Sequence, residues 1–243
     1  MNYVNVYEKN LVKKKKRYLV PMIAIIIMVI TTVFLASTLY VWVTPMSPEL
    51  YFYVDTPVVT DVTIEIKDGV TKTVPEIPLG KKVTWKNVNI DKNGGVHYEG
   101  KQYPFLYYEG IFEYSDLQYG WQIEAVDGDF RLNSKIVSES DILDFLRNKM
   151  SESGLYEHEI EYIICRVAEN NMLDQSQGYI LINYIPVEDV DRAIQLTTTY
   201  DFSIMRRHFV ISESNVAVEL LAPEFEPVEE TGFMIHETAI NKL

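Results

Sequence analysis

Three kinds of hydrophobic pattern follow one another along the chain of 243 residues. Residues 18–43 form an unbroken apolar run without a charged side chain. From residue 58 onwards the pattern has mostly period two, as in Val62, Ile64 and Ile66, which is typical of strands with one buried face. Near the middle of the chain, apolar residues recur at helical spacing. The pattern therefore predicts an apolar span, many strands and a central pair of helices.

The helix pair is predicted from capping residues and apolar stripes. Ser138 begins a capping-box sequence that precedes the first stripe, and the second stripe follows Gly154, which suits a helix end. A third, short helix is predicted over 187–193, directly after Pro186. Strands before and after a helix pair indicate an α+β fold, in which the helices pack on one face of a mainly antiparallel sheet.

Short segments rich in β-branched and aromatic residues predict the strands. The dipeptide Asp68-Gly69 predicts a hairpin turn between the strand that contains Val62 and a returning strand over 70–74. The other predicted strands are residues 84–90, 96–99, 103–108, 120–126, 179–184, 194–200, 205–211, 216–221 and 233–236.

The apolar run over 18–43 predicts a transmembrane helix. As a helix it would be about 39 Å long, enough to cross a hydrocarbon core of about 30 Å. It is longer than the apolar core of a signal peptide, which has roughly 7–15 residues. Basic residues at 13–17 predict that the N-terminus stays in the cytoplasm. We therefore expect a single-pass protein of the cell membrane, with the lipid bilayer as one partner and the C-terminal domain outside.

Composition divides the predicted protein into five segments. Residues 1–17 are a basic cytoplasmic tail, and residues 18–43 are the transmembrane helix. Residues 44–57 contain three prolines and predict a short stalk, interrupted by the apolar residues 50–54, which could already be a strand. A small β-rich region is predicted over 58–94, and the main α+β extracytoplasmic domain over 95–243.

Charge and cysteine content limit the chemistry of the outer domain. The first 17 residues carry a net charge of +5, so the remainder of a chain with a net charge of −13 carries −18. Phosphates would be repelled by a domain this acidic, which excludes nucleic acid as a partner. The single cysteine, Cys165, excludes a disulfide framework, and its neighbours Ile163 and Ile164 predict that it is a small core side chain.

Catalytic motifs are absent from the sequence. Neither G-x-S-x-G nor S-x-x-K occurs. The dipeptides His158-Glu159 and His236-Glu237 resemble the start of a zinc-binding H-E-x-x-H motif, but both lack the second histidine, so we expect structural or surface roles. The acidic loop over 91–99 lacks the spacing of a calcium loop. No metal and no cofactor are therefore predicted.

The most distinctive local sequence is YPFLYYEG, over residues 103–110. Alternating aromatic residues on a strand usually fill a core, and this is the favoured interpretation. The alternative is a binding platform, in which Tyr107, Tyr108 and Trp121 stack on a sugar or a peptide.

Two function classes remain open. The favoured one is a non-catalytic interaction or structural module at the cell surface, with a protein or a glycan as partner. The alternative is a glycan-binding domain or glycan hydrolase that uses Glu109. A hydrolase would need Glu109 and Glu237 as acid and base, with their carboxyl groups in one cleft, about 5–10 Å apart.

The aromatic segment also carries a resemblance to a known family. The pattern YP-[FY]-L-aromatic-aromatic-E-G over 103–110, the G-W at 120–121 and a terminal G-F-x-x-x-E over 232–237 resemble an uncharacterised family of exported or membrane-anchored microbial domains. The similarity covers about residues 95–240. The family has no assigned activity, so the resemblance implies an exported location without catalytic residues. This chain has Thr238 where the family usually has tryptophan.

Overall fold

The computed structural model describes residues 42–114, 117–174, 177–228 and 231–243. These residues form fifteen strands and three helices. The helices are α1 (Glu139–Glu152), α2 (Glu157–Glu169) and α3 (Val187–Ala193). The strands are β1 (Trp42–Met46), β2 (Glu49–Val54), β3 (Val58–Ile66), β4 (Val70–Val74), β5 (Lys82–Ile90), β6 (Val96–Tyr98), β7 (Lys101–Tyr103), β8 (Leu106–Tyr114), β9 (Tyr119–Val126), β10 (Asp129–Leu132), β11 (Lys135–Val137), β12 (Gln177–Ile185), β13 (Ile194–Thr198), β14 (Ser203–Ser214) and β15 (Phe233–Lys242).

The strands form two sheets within one unit that spans residues 42–243. The larger sheet has ten strands in the order β1-β8-β2-β15-β14-β12-β9-β10-β11, with β4 also paired to β8. Its ladders are antiparallel except for the central pair β14–β15, which is parallel. The smaller sheet has the order β13-β3-β5-β6-β7 and is antiparallel.

Two hydrophobic cores lie on opposite faces of the larger sheet. Alternation along β15 shows the division, because Ile235 and Ala239 join the core against the smaller sheet, whereas Ile240 joins the core against α1 and α2. We call the first side the sandwich face and the second the helix face. Each side chain of the central strands therefore lies either on the sandwich face or on the helix face.

Capping residues fix the two long helices. Ser138 accepts from the backbone N–H of Asp141 and donates its own N–H to the Asp141 carboxylate, as the capping-box sequence predicts. The carboxylate of Glu159 accepts the Tyr156 backbone N–H at 2.7 Å in the same way. Apolar residues at helical spacing then bury one stripe of α1: Ile142, Leu146 and Met150.

The α+β prediction is wrong, because strands dominate the described residues and both sheets are built mainly from them. The prediction of a hairpin at Asp68-Gly69 is also wrong. The chain does turn there, but β3 joins the smaller sheet while β4 pairs with β8 of the larger one. Residues 216–221 are irregular and do not form the predicted strand. The separation of β3 from β4 reflects strand pairing, which is set by distant parts of the chain.

The prediction of a single-pass membrane protein is not supported. No helix in the part of the chain that the structure describes is long and apolar enough to cross a membrane. Most of the predicted span over 18–43 lies outside the described residues, as does the predicted tail over 1–17. The last two residues of that span, Trp42 and Val43, begin strand β1. An apolar pattern is compatible with a paired strand as well as with a helix, and Trp42 and Val43 form a strand because they pair with β8.

Cys165 is exposed and does not belong to a core, in contrast to the prediction. The buried stripe of α2 consists of Ile160, Ile163, Ile164 and Val167. Helical periodicity leaves position 165 on the outer side of that stripe.

Candidate functional site

Glu109 and Glu237 lie on opposite faces of the larger sheet. Cross-strand partners share a face, and the register pairs Tyr107 with Glu49 but Leu50 with Glu237. Glu109 therefore shares the face of Tyr107 and Glu49, whereas Glu237 lies on the sandwich face. The two carboxyl groups do not meet in one cleft, as an acid–base pair would require.

Glu109 is a partly exposed carboxylate with two partners. Lys72 Nζ lies 3.1 Å from its Oε1, and the Tyr107 hydroxyl donates to the same oxygen. Partial burial alone raises its pKa, but Tyr107 and Lys72 outweigh this effect and hold the pKa below its ordinary value. This group is therefore ionised at neutral pH and is not poised as a general acid.

Tyr107, Tyr108 and Trp121 do not form one platform. Tyr107 and Tyr108 are consecutive on β8 and lie on opposite faces. Tyr108 is fully buried in the sandwich core. Trp121 packs in the helix core, with ring centroids 6.2 Å from those of Phe145 and Phe209.

Glu237 is a fully buried anion with three partners. The Tyr108 hydroxyl donates to it at 3.0 Å, and Arg206 Nε donates at 3.2 Å. His208 Nε2 lies 2.9 Å from Oε1. Burial by itself would raise the pKa of Glu237, but Arg206, His208 and Tyr108 together lower it to about 2. Glu237 is therefore a buried structural carboxylate that a substrate cannot reach.

A pocket of about 460 Å³ opens where both sheets meet the first turn of α2. Its lining consists of residues 51–53 of β2, residues 93–95 of the β5–β6 loop, residues 102–104 at the end of β7, and His158. We call it the aromatic pocket, because tyrosine and histidine rings from three different elements face it.

Close backbone packing positions the β5–β6 loop in this pocket. Gly94 has a φ of +81°, and a Cβ atom there would lie 2.4 Å from the carbonyl oxygen of Phe52, so only glycine permits the contact. Asp91 closes the loop, because its Oδ1 accepts the backbone N–H groups of Asn93 at 2.8 Å and Gly95 at 3.1 Å. The acidic loop thus forms a tight turn that is held against β2.

A hydrogen-bond network lies beside the pocket, with the buried carboxylate of Glu159 at its centre. Tyr53 donates its hydroxyl to Glu159 Oε1 at 2.8 Å and lies 3.1 Å from His158 Nε2. His236 Nδ1 lies 2.9 Å from the same carboxylate, and the Tyr156 ring stacks on His236 at 5.0 Å. These contacts fix the orientation of Tyr53 and His158, the two polar rings that line the pocket.

The pocket lining has a defined chemistry. Asn93 and Gln102 each supply an amide with both donor and acceptor capacity. Among the described lining residues there is no Asp, Glu, Lys or Arg. The described residues also contain no group of three or more His, Cys, Asp or Glu side chains placed to hold a metal ion. The pocket is therefore suited to an uncharged ligand that combines apolar faces with polar groups.

No family model, curated protein or solved structure matches the chain. The resemblance of residues 103–110 to an uncharacterised family stays a prediction, and the site is defined by its geometry.

Sequence reasoning missed this site. It treated His158-Glu159 and His236-Glu237 as two unrelated dipeptides, whereas in the structure Glu159 contacts His236. The repeated dipeptide was the available signal. The contact itself depends on the docking of α2 against β15, which no local pattern reveals. Tyr51 and Tyr53 of β2 lay within the predicted stalk, in the apolar residues 50–54 that were left open as a strand.

Proposed function

We propose that this protein is a non-catalytic carbohydrate-binding module and that the aromatic pocket is its ligand site. The observation that carries the proposal is the lining itself: aromatic rings and two amide side chains, without a charged carboxylate, ammonium or guanidinium among the described residues. This combination supports a neutral ligand and argues against phosphates and metal-bound substrates.

Carbohydrates have the two surfaces that such a lining complements. Their C–H faces pack on aromatic rings, and their hydroxyls pair with groups that can both donate and accept. Tyr103 is half-buried at the pocket wall and supplies a ring, while Asn93 and Gln102 supply the amides. A volume of about 460 Å³ lies within the usual range for small-molecule sites, roughly 300–1,000 Å³.

The absence of a catalytic pair supports a binding role over hydrolysis. A glycosidase needs two carboxyl groups on either side of the scissile bond. Glu109 and Glu237 lie on opposite faces of the sheet, and the buried carboxylate that contacts the lining residue Tyr53, Glu159, already accepts from Tyr53 and from the backbone N–H of Tyr156. No described carboxylate lines the pocket to serve as acid or nucleophile.

Calorimetric titration of the full chain with neutral hexasaccharides tests the proposal. Cello-, chito-, malto- and xylohexaose differ in linkage and substituents while remaining uncharged. We expect saturable binding of at least one of them, without release of reducing ends. Tyr103→Ala should weaken that binding about two- to tenfold, since an aromatic stacking contact contributes about 0.5–1.5 kcal/mol.

The matched control is Tyr200→Ala, because Tyr200 is half exposed and lies outside the pocket. It should leave the affinity unchanged. Two results would contradict the proposal: no binding of any hexasaccharide, or equal affinity in a folded Tyr103→Ala variant. Hydrolysis of a bound sugar would contradict the non-catalytic role specifically.

A further inference from the structure

Two consecutive buried arginines on β14 differ in how their charge is balanced. Arg206 lies on the sandwich face and forms ion pairs with Glu237 at 3.2 Å and with Asp191 of α3. Arg207 points to the helix face and is only 3% exposed. Among the described residues, no carboxylate forms an ion pair with Arg207.

Carbonyl oxygens and aromatic side chains, but no described carboxylate, are the partners of Arg207, and its guanidinium lies 5.2 Å from the centroid of the Phe225 ring. Its Nε donates to the Ser153 carbonyl at 2.7 Å, and its terminal nitrogens donate to the carbonyls of Arg206 at 2.9 Å and Glu226 at 3.2 Å. The Tyr184 hydroxyl favours the charged guanidinium by a side-chain contact. Since a guanidinium has five N–H donors, these four contacts leave at least one donor without a partner among the described residues. They satisfy hydrogen bonds but do not neutralise the charge.

Arg207 lines a second and larger pocket, of about 850 Å³. This pocket lies between β14, the start of α3 and the irregular segment 221–228, and we call it the segment pocket. Its apolar wall includes Tyr184, Ile204 and Leu221. Three carboxylates also line it, and all three belong to exposed residues: Glu188, Glu224 and Glu226.

An unbalanced buried charge is costly, and a bound anion would offset that cost. Burial lowers the pKa of Arg207, and only Tyr184 acts against this effect, whereas the pKa of its neighbour Arg206 is raised by Glu237 and Asp191 despite burial. The contrast shows that, among the described residues, Arg206 has anionic partners and Arg207 has none. The pocket beside it is large enough to supply one from a ligand.

We propose that the segment pocket binds a carboxylate ligand with an apolar body, whose carboxylate pairs with Arg207 and accepts the hydroxyl of Tyr184. The proposal concerns a second site, independent of the aromatic pocket. The acidic side chains at Glu188, Glu224 and Glu226 restrict the rest of the ligand, because a second negative charge would be repelled. The ligand class is therefore an apolar monocarboxylate, with a far end that is neutral or positively charged.

Four eight-carbon probes separate these features: octanoate, 8-aminooctanoate, octanedioate and octan-1-ol. Each is titrated into the full chain by calorimetry. We expect octanoate and 8-aminooctanoate to bind saturably. Octan-1-ol lacks the anion and octanedioate carries a second one, so both should bind at least tenfold more weakly than octanoate.

Variants then assign the binding to Arg207 and its neighbour. Tyr184→Phe keeps the ring and removes one donor, so octanoate should bind several-fold more weakly while octan-1-ol is unaffected. Arg207→Gln should abolish the preference for octanoate over octan-1-ol. Glu224→Gln removes one of the repelling carboxylates, so the affinities for octanoate and octanedioate should become more similar. The control is Arg131→Gln, because Arg131 pairs with Glu124 at the surface and lies outside the pocket.

A purely structural role for Arg207 gives different results. In that case the residue only holds residues 153 and 226 in place, and loss of its side chain would lower stability without a carboxylate preference in the parent chain. Equal affinity for octanoate and octan-1-ol would overturn the proposal, as would unchanged octanoate binding in folded Tyr184→Phe. The tyrosine variant keeps the test decisive if Arg207→Gln does not fold.

Discussion

Glu49 and Glu237 lie on neighbouring strands, one position apart in register, and both are fully buried. Glu237 lies on the sandwich face, where Arg206, His208 and Tyr108 surround it. Glu49 lies on the helix face, where Arg166 of α2 is its one ion-pair partner among the described residues. Its Oε2 atom makes no hydrogen bond to the described residues.

The pKa values of these two equally buried glutamates are thus shifted in opposite directions. Burial raises the pKa of Glu49 to about 7, because Arg166 offsets only part of the desolvation. For Glu237 the desolvation is outweighed by its three partners, and the pKa is lowered to about 2. The balance between desolvation and the charges and hydrogen bonds that oppose it, and not burial alone, decides which form of a buried carboxylate the fold favours.

The largest expected effect in this comparison is the loss of the Glu237 charge. Glu237→Gln leaves Arg206 and His208 buried beside an uncharged group, so we expect the free energy of unfolding to fall by about 3–5 kcal/mol. Urea denaturation at pH 7 measures it. The control Glu109→Gln removes a partly exposed carboxylate and should cost about 1 kcal/mol or less. Equal costs for the two variants would contradict the structural role of Glu237.

Glu49→Gln should have an effect that depends on pH. In the parent chain the folded state holds the Glu49 proton up to a pKa of about 7, while the ordinary value is 4.5. Glu49 therefore makes the folded state lose stability as pH rises from 4.5 to 7, and the variant escapes this loss. Relative to the parent, the variant should gain on the order of 2–3 kcal/mol between pH 5 and pH 8.

Glu237→Gln is the matched control for this pH dependence. The folded pKa of Glu237 is about 2, so its contribution to stability is present above 4.5 and is lost only as pH falls towards 2. Between pH 5 and 8 the contribution of the Glu237 carboxyl itself to the difference between this variant and the parent should stay nearly constant. If the difference in stability between Glu49→Gln and the parent is also independent of pH, Arg166 fully compensates the desolvation of Glu49.

The smallest of these effects is that of a single donor. Tyr108→Phe removes a hydroxyl that donates to Glu237 at 3.0 Å, and we expect a loss of about 1–2 kcal/mol in chemical denaturation. The control is Tyr107→Phe, whose hydroxyl donates to the partly exposed Glu109 and should contribute less than about 1 kcal/mol. If the control costs as much, the Glu237 site has no special dependence on its donors.

Local structure was the part of the fold that could be predicted from the sequence. The capping residues at Ser138 placed the start of α1, and Val62, Ile64 and Ile66 correctly predicted a strand with one buried face. Both predictions depend on interactions within one element. Strand partners could not be predicted, because β4 pairs with β8 and β14 with β15 across long stretches of chain.

The candidate sites were hidden for the same reason. His236 meets Glu159 only because α2 docks on the face of β15 that carries His236. That Arg207 has no carboxylate partner among the described residues could not be predicted from a chain with an excess of acidic residues, since compensation depends on which carboxylates come near. Residues 103–110 are rich in aromatic side chains, yet they do not form one site. Tyr108 lies in the core, whereas Glu109 is partly exposed at the surface.

Direct titration of the two buried glutamates tests the comparison most sharply. Carboxyl carbons of glutamate in the full chain can be labelled with ¹³C and followed by NMR from neutral to acidic pH, with Glu49→Gln and Glu237→Gln assigning the signals. We expect Glu49 to titrate near pH 7 and Glu237 to stay ionised towards pH 2. Titration of both groups near 4.5, or a Glu237 that takes up its proton before Glu49, would contradict the assignment of opposite roles to the two faces.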